Sequence, residues 1–213
     1  MRCEIRSPKG SVLGPLVVAG VSIEEDSLKD LKELGVKDSK LLTHEMRCAL
    51  YEEIKSLCKV VVFLPIHPPE IDRYVTYGRL HRKLNFLEAI HMSRIIPLLM
   101  VEQVFIDAPD TNPARFSSEL SDMLDPCPKI VAEHRADRNY VVVSAASIVA
   151  KVERDKAVEL LRTEHGEFGS GYPSDEDTIT YLRAWVEREG AIPPFARRSW
   201  KTWDRILTVT LFP

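Results

Sequence analysis

Four cysteines are spread through the chain, and none lies in a C-x-x-C pair or beside a histidine-rich stretch. That spacing excludes the common zinc-binding and dithiol redox classes. It leaves Cys3, Cys48, Cys58 and Cys127 as reduced, buried thiols of a cytosolic protein. No apolar run approaches the ~18 residues that span a bilayer. Met1-Arg2-Cys3-Glu4 leads into further charge rather than an apolar core, so no secretory leader is read there. An excess of positive charge is missing as well, since 29 Lys and Arg face 32 Asp and Glu for a net charge of -3. This excludes nucleic-acid binding by bulk charge and leaves local basic patches or metal-assisted phosphate contact open. Repeats and low-complexity tracts are absent. The expectation is a cytoplasmic, monomeric protein with no membrane attachment.

What remains is ordinary globular material: 213 residues, 45% hydrophobic and 29% charged. That suffices for one large core, with or without a small appendage. Leu13–Ile23 reads as a buried strand, followed by a short helix at about 24–34 that Gly35 closes. Thr43 caps a helix to Cys58 that carries Met46, Leu50, Ile54 and Leu57 on one face. Lys59–Ile66 is a second strand, and Pro68-Pro69 opens another helix. Arg79–Leu99 reads as a long helix that Pro97 interrupts. A strand ending at Asp107, a helix at Pro113–Leu124 and a strand at Lys129–Glu133 follow. A long helix then runs from Tyr140 to His165, and the remainder is helical. The pattern is an α/β core, residues 1–165, with a helical C-terminal portion, 166–213.

Two acids stand out. Asp107 ends the apolar run Val104-Phe105-Ile106 and precedes Ala-Pro-Asp-Thr-Asn-Pro, a turn signal. An acid at a strand's carboxyl end lies where open α/β folds bind ligands. Asp137 comes just before the small-residue stretch Val143–Lys151. Two acids at element ends can hold a divalent metal once the fold brings them together. Capping aspartates are the plainer reading of any such pair. Elsewhere, Gly169-Ser170-Gly171-Tyr172-Pro173 presents an aromatic on a loop, suited to stacking on a sugar or base. Arg197, Arg198 and Lys201 flank Trp200 and Trp203, which suits phosphate contact, or else a basic face lying over tryptophans. Lys37-Asp38-Ser39-Lys40 offers cations and a hydroxyl to phosphate oxygens.

Taken together, these stretches resemble the ribonuclease HII family, its archaeal branch in particular. The matching segments are Leu13–Val21, Leu34–Leu41, Phe105–Ala108, Val131–Asp137 with Val143–Arg154, Phe168–Asp175, and Pro193-Pro194 through Arg197–Thr202. They occur in family order across nearly the whole chain. The resemblance implies a ribonuclease H-like fold, a central mixed sheet flanked by helices. It implies cleavage of RNA in RNA–DNA hybrids and at single ribonucleotides in duplex DNA. It also implies magnesium or manganese held by four carboxylates. Asp107 and Asp137 match the third and fourth of these acids, and Tyr172 matches the tyrosine that packs on the deoxyribose at the junction. Lys37, Ser39 and Lys40 fall in a phosphate-contacting loop. Lys9 and Gly10 are compatible with the loop that reads the ribose 2′-hydroxyl, and Arg197 and Lys201 with further substrate contacts. A sliding clamp is a partner without support here, because Ile206–Pro213 spaces its Leu211-Phe212 poorly for a clamp-binding peptide.

One departure is large. The family opens with G-I-D-E-A-G-R-G, whereas this chain has Cys3-Glu4-Ile5-Arg6-Ser7-Pro8-Lys9-Gly10. Counting back from Gly14-Pro15, Ile5 and Arg6 replace the first two acids; a one-residue shift puts Arg6 and Ser7 there. A cation where a divalent metal belongs repels it. Pro8 also removes a backbone N–H and fixes φ. Three explanations compete: impaired catalysis, a local frameshift or engineered change in an ordinary enzyme, or Glu4, one strand period from Arg6, serving as a substitute ligand.

Overall fold

Arg2–Arg6 carries no apolar run, yet it forms β1, the middle strand of the sheet. The structure, a computed structural model, describes residues 2–6, 10–36, 42–77 and 83–211. Among them five strands make one sheet: β1, β2 (Leu16–Ile23), β3 (Val60–Ile66), β4 (Gln103–Asp107) and β5 (Lys129–Glu133), in the order β3-β2-β1-β4-β5. β1 runs antiparallel to β2, with Ile5 opposite Gly20, and parallel to β4, with Ile5 opposite Ile106. β4 and β5 are parallel, and their last residues, Asp107 and Glu133, are register partners. The mixed sheet agrees with the sequence expectation. Pairing on both sides gives β1 the ladder that its own residues do not signal.

The helices, in chain order, are α1 (Leu28–Glu33), α2 (His44–Leu57), α3 (Pro68–Tyr77), α4 (Lys83–Ile95), α5 (Pro113–Ser121), α6 (Ala136–Asn139), α7 (Val141–His165), α8 (Glu176–Glu189) and α9 (Thr202–Leu211). Local chemistry sets several boundaries. Thr43 accepts the Met46 amide at 3.2 Å and starts α2 as expected, although Met46 itself is half exposed while Tyr51 and Ile54 face the core. Asn112 caps α5 by accepting the Arg115 amide. Pro97 turns the chain from α4 into a 3-10 segment, Ile96–Leu99. Gly190 closes α8 in the left-handed region, at φ 64°.

The chain divides into two compact units. The first comprises Met1–Ser7, Val17–Leu64 and Asn85–Glu153. Its core joins Val17, Ala19, Val21 and Ile23 of β2 to Ile54 of α2 and the amino-terminal half of α7. Every residue of β2 is buried, so both faces of that strand are covered. From Val141 to Ala150 α7 is buried all round. Its valines are modest helix formers, and burial of about 1.5–3 kcal/mol per large apolar side chain outweighs that preference. The second unit contains the 166–213 portion anticipated from sequence together with Pro8–Leu16, Pro65–Leu84 and Arg154–His165. Its core gathers Val12, Leu13, Val158, Phe168, Ile179, Leu182, Phe195, Trp203 and Ile206. Leu13, read as part of the first long strand, instead makes an isolated bridge to Ala196. Burial of the thiols applies to Cys58, which desolvation pushes up to about 12; Cys48 is half-buried and Cys127 exposed.

Candidate active site

In the first unit, β4 delivers Asp107 at its carboxyl end. Its Oδ1 accepts the backbone N–H of Ala136 at 3.2 Å. That amide opens α6, so the carboxylate of one candidate acid grips the residue immediately before the other, Asp137. The short helix is held from further sides. Arg135, at φ 55°, turns the chain into it. Ser144 of α7 donates its hydroxyl to the Asp137 carbonyl at 2.8 Å. Glu133, at the end of β5, accepts from Asn139 Nδ2 at 3.0 Å and from the Tyr140 hydroxyl at 2.8 Å. The Tyr140 ring packs on Phe105 of β4 with centroids 4.2 Å apart. Asp137 is thus buried, 5% exposed, on a backbone held by side chains from β4 and α7, with Glu133 of β5 holding the neighbouring side chains Asn139 and Tyr140.

The loop after Asp107 is pinned in the same way. Asp110, 2% exposed, accepts from the Asn112 amide at 2.9 Å, from Asn85 of α4 at 3.5 Å, and from Arg115. Burial alone would raise its carboxyl. The Asn112 amide, Arg115 and Asn85 outweigh burial and hold it below the usual carboxylate range. Among the described residues no group of three or more His, Cys, Asp or Glu is placed to hold a metal ion. The carboxylates of Asp107 and Asp137 are hard oxygen donors, the kind that magnesium or manganese takes, and two are fewer than such an ion needs.

The second unit carries the tyrosine loop. Gly169 and Gly171 are at φ 69° and 76°. A Cβ on Gly169 would lie 2.5 Å from Asp175 Oδ2, so the tight turn requires glycine there. Asp175 caps α8 and accepts both the amide and the hydroxyl of Ser170, at 2.5 and 2.6 Å. These bonds, the Ser170 hydroxyl first, hold its carboxyl down at about 2. Gly171 is anchored too, its amide donating to Thr178 Oγ1 and its carbonyl accepting from the Val12 amide at 2.8 Å. Tyr172 emerges half-buried, with the Arg154 guanidinium 4.8 Å from its ring centroid. A Cβ placed on Gly10 would touch Tyr172 Cε1 at 3.4 Å, so residue 10 borders the ring.

With this geometry in place, comparison with known proteins decides the family. The Ribonuclease HII family model matches residues 8–203. The chain belongs to the ribonuclease HII family. A ribonuclease HII of Thermococcus onnurineus is 45% identical over 199 residues, covering 93% of this chain and 86% of that protein. The crystal structure of ribonuclease H2 from Pyrococcus horikoshii superposes with a TM-score of 0.89 at 35% identity, covering 100% of this chain and 99% of that one. The ribonuclease HII of Archaeoglobus fulgidus, solved in complex with PCNA, gives 0.86 at 39% identity, covering 97% and 96%. The expected ribonuclease H-like fold with a helical C-terminal part is therefore present. The family match starts at residue 8, after Cys3–Ser7.

One expected contact lands elsewhere. Arg197, anticipated as a substrate contact, is 0% exposed. Its Nε donates to the Gly14 carbonyl at 3.1 Å and its Nη2 to the Pro15 carbonyl at 2.8 Å, while Trp200 covers it at 5.0 Å. It is an internal strut of this ribonuclease HII chain, because a guanidinium with no accessible surface meets no phosphate. Trp203 is buried, donating Nε1 to the Arg197 carbonyl at 3.0 Å. Lys201 is exposed just ahead of α9. Lys9, Lys37, Ser39 and Lys40 lie outside the described residues, and of Glu4 only its place in β1 is described. Glu133, Ser144 and Arg154 escape a sequence reading, since each acts through a partner that the fold alone brings near.

Proposed function

We propose that this protein is a ribonuclease HII-type endonuclease. It hydrolyses the RNA strand of RNA–DNA hybrids and cuts at single ribonucleotides in duplex DNA, with Asp107 and Asp137 as its catalytic acids. The observation carrying this reading is the Asp107–Ala136 hydrogen bond, which ties the turn bearing Asp137 to the end of β4. Burial and the Ser144 contact limit how far that turn can move. The chemistry is addition of water across a phosphodiester, breaking the bond to the 3′-oxygen. Asp107 and Asp137 would hold magnesium or manganese, which supplies water activation and charge neutralisation on the leaving oxygen. Tyr172 reads the DNA–RNA junction by packing on the sugar beside the ribonucleotide. Gly10 borders that ring, and Lys9, Lys37, Ser39, Lys40 and Lys201 supply backbone contacts that carry affinity rather than identity. Substrate reaches an acidic chain by these local cations and not by its overall charge, which is -3.

One feature favours a weakened form of this activity. Counted back from Gly14-Pro15, Ile5 and Arg6 fall where the resemblance puts the family's first two acids, and a one-residue shift puts Arg6 and Ser7 there. With Arg6 a cation replaces an anionic ligand, and the charge that retains a hard divalent ion falls sharply. The protein in this form binds ribonucleotide-containing duplex and turns it over slowly. Glu4 is the substitute ligand to examine. The test is a gel assay on duplex DNA carrying one ribonucleotide, against the same duplex of DNA alone, in magnesium and in manganese. Cleavage at the ribonucleotide that D137N abolishes supports the reading. Cleavage that survives D137N and D107N contradicts it.

A further inference from the structure

Arg154, like Arg197, is a buried cation, but it lies beside the ring of Tyr172. Its side chain is 6% exposed on α7, and its guanidinium makes three contacts. Nη2 donates to the Ser170 carbonyl at 2.9 Å, Nη1 meets Asp155 Oδ1 at 3.2 Å, and the group lies 4.8 Å from the Tyr172 ring centroid. Nε is buried without a hydrogen-bond partner among the described residues. The Asp155 carboxylate balances the charge, and the tyrosine ring adds a further contact to the same guanidinium. Gly171 fits the arrangement, because a Cβ there would lie 3.2 Å from Arg154 Nη2. A side chain at 171 would crowd the guanidinium and, at φ 76°, strain the loop.

We propose that Arg154 is a positioning residue: it holds the Tyr172 ring in the orientation that distinguishes a DNA–RNA junction from plain DNA. The inference rests on the junction role given to Tyr172 above. A half-buried ring on a glycine-flanked loop has freedom to swing. A guanidinium held over the ring from a long helix removes that freedom at little cost in ordering when substrate arrives. Gly10 borders the ring's Cε1 edge and cannot orient it, having no side chain. Arg154 also ties the loop to the helix through Ser170, so one residue fixes both the loop and its aromatic.

The test uses the full chain and fluorescence anisotropy, with EDTA present so that no strand is cut. Dissociation constants are measured for a duplex with one ribonucleotide and for its all-DNA counterpart, and their ratio is the preference. Y172A should remove most of the preference. R154M, which keeps the aliphatic stem, should lower it by about threefold, the worth of a cation–π contact at a partly covered ring. In a Y172A background R154M should leave the ratio unchanged, because the two residues act as one unit. R154K keeps the charge but not the planar fork, should fall between wild type and R154M, and serves if R154M does not fold. A lowered ratio in Y172A with an unchanged one in folded R154M and R154K overturns this inference alone. An equal drop from R154M with and without Tyr172 also overturns it, leaving Arg154 as loop support. An unchanged ratio in Y172A overturns the junction reading and this inference together.

Discussion

Replacing Arg197 with methionine separates an internal strut from a nucleic-acid contact. The guanidinium is fully buried and donates to the carbonyls of Gly14 and Pro15. Hydrogen bonds involving a charged group are each worth about 1.5–3 kcal/mol. Methionine fills much of the volume but leaves both carbonyls without these donors, so a loss of about 3–5 kcal/mol is expected. For a chain of this size one kcal/mol shifts the melting temperature by roughly 2–4 °C, so R197M should melt about 10 °C lower. Differential scanning calorimetry measures this directly. The companion measurement is duplex affinity against salt, below the melting transition. A lost phosphate contact reduces the slope of log Kd against log salt by about one unit. The strut account predicts an unchanged slope. An unchanged melting temperature with a reduced slope refutes it and returns Arg197 to the substrate.

Asp110 makes a parallel case near the acid pair: D110A removes the acceptor for Asn112, Asn85 and Arg115 and should cost about 3 kcal/mol, read as a lower urea midpoint with unchanged m. A midpoint within error of wild type would show that Asp110 does not pin the loop after Asp107. Asp175 contributes to the pH dependence of stability. Its folded pKa, about 2, is depressed below the unfolded value of ~3.9, so its stabilisation is present above about pH 4 and lost as pH falls through about 2. The melting-temperature gap between wild type and D175N should therefore narrow from pH 5 to pH 2, and a constant gap contradicts the assignment.

Much of the fold is legible in the sequence because its elements are marked locally. β5 (Lys129–Glu133) and β3 (Val60–Ile66) are apolar runs with clear ends, and Thr43, Asn112 and Gly190 bound their helices by ordinary capping chemistry. β1 is illegible for the opposite reason: Arg2-Cys3-Glu4-Ile5-Arg6 reads as polar, and only partners on both sides make it a strand. The long helix read from Tyr140 begins at Val141, and a separate turn at Ala136–Asn139 precedes it. That turn exists because Asp107, Ser144 and Glu133 hold it, contacts that span up to 29 positions of sequence. Asp107 announces itself at the end of an apolar run, whereas the residues that aim Asp137 do not. Arg197 misleads because a basic residue beside tryptophans has one sequence signature and two environments. Only its burial distinguishes strut from contact.

A reversion tests most directly the proposed weakening of a ribonuclease HII site at its first two acid positions. The protein and its Ile5→Asp/Arg6→Glu form are compared for cleavage of duplex DNA carrying a single ribonucleotide, in magnesium. The account predicts that the reverted form is faster by at least ~100-fold, since losing metal ligands costs no less than the 10–100-fold of losing their supporting shell. Manganese, binding the same oxygen ligands more tightly, should recover part of the difference in the unreverted protein. Equal rates for the two forms would contradict the weakened-site reading and make Glu4 the next residue to replace.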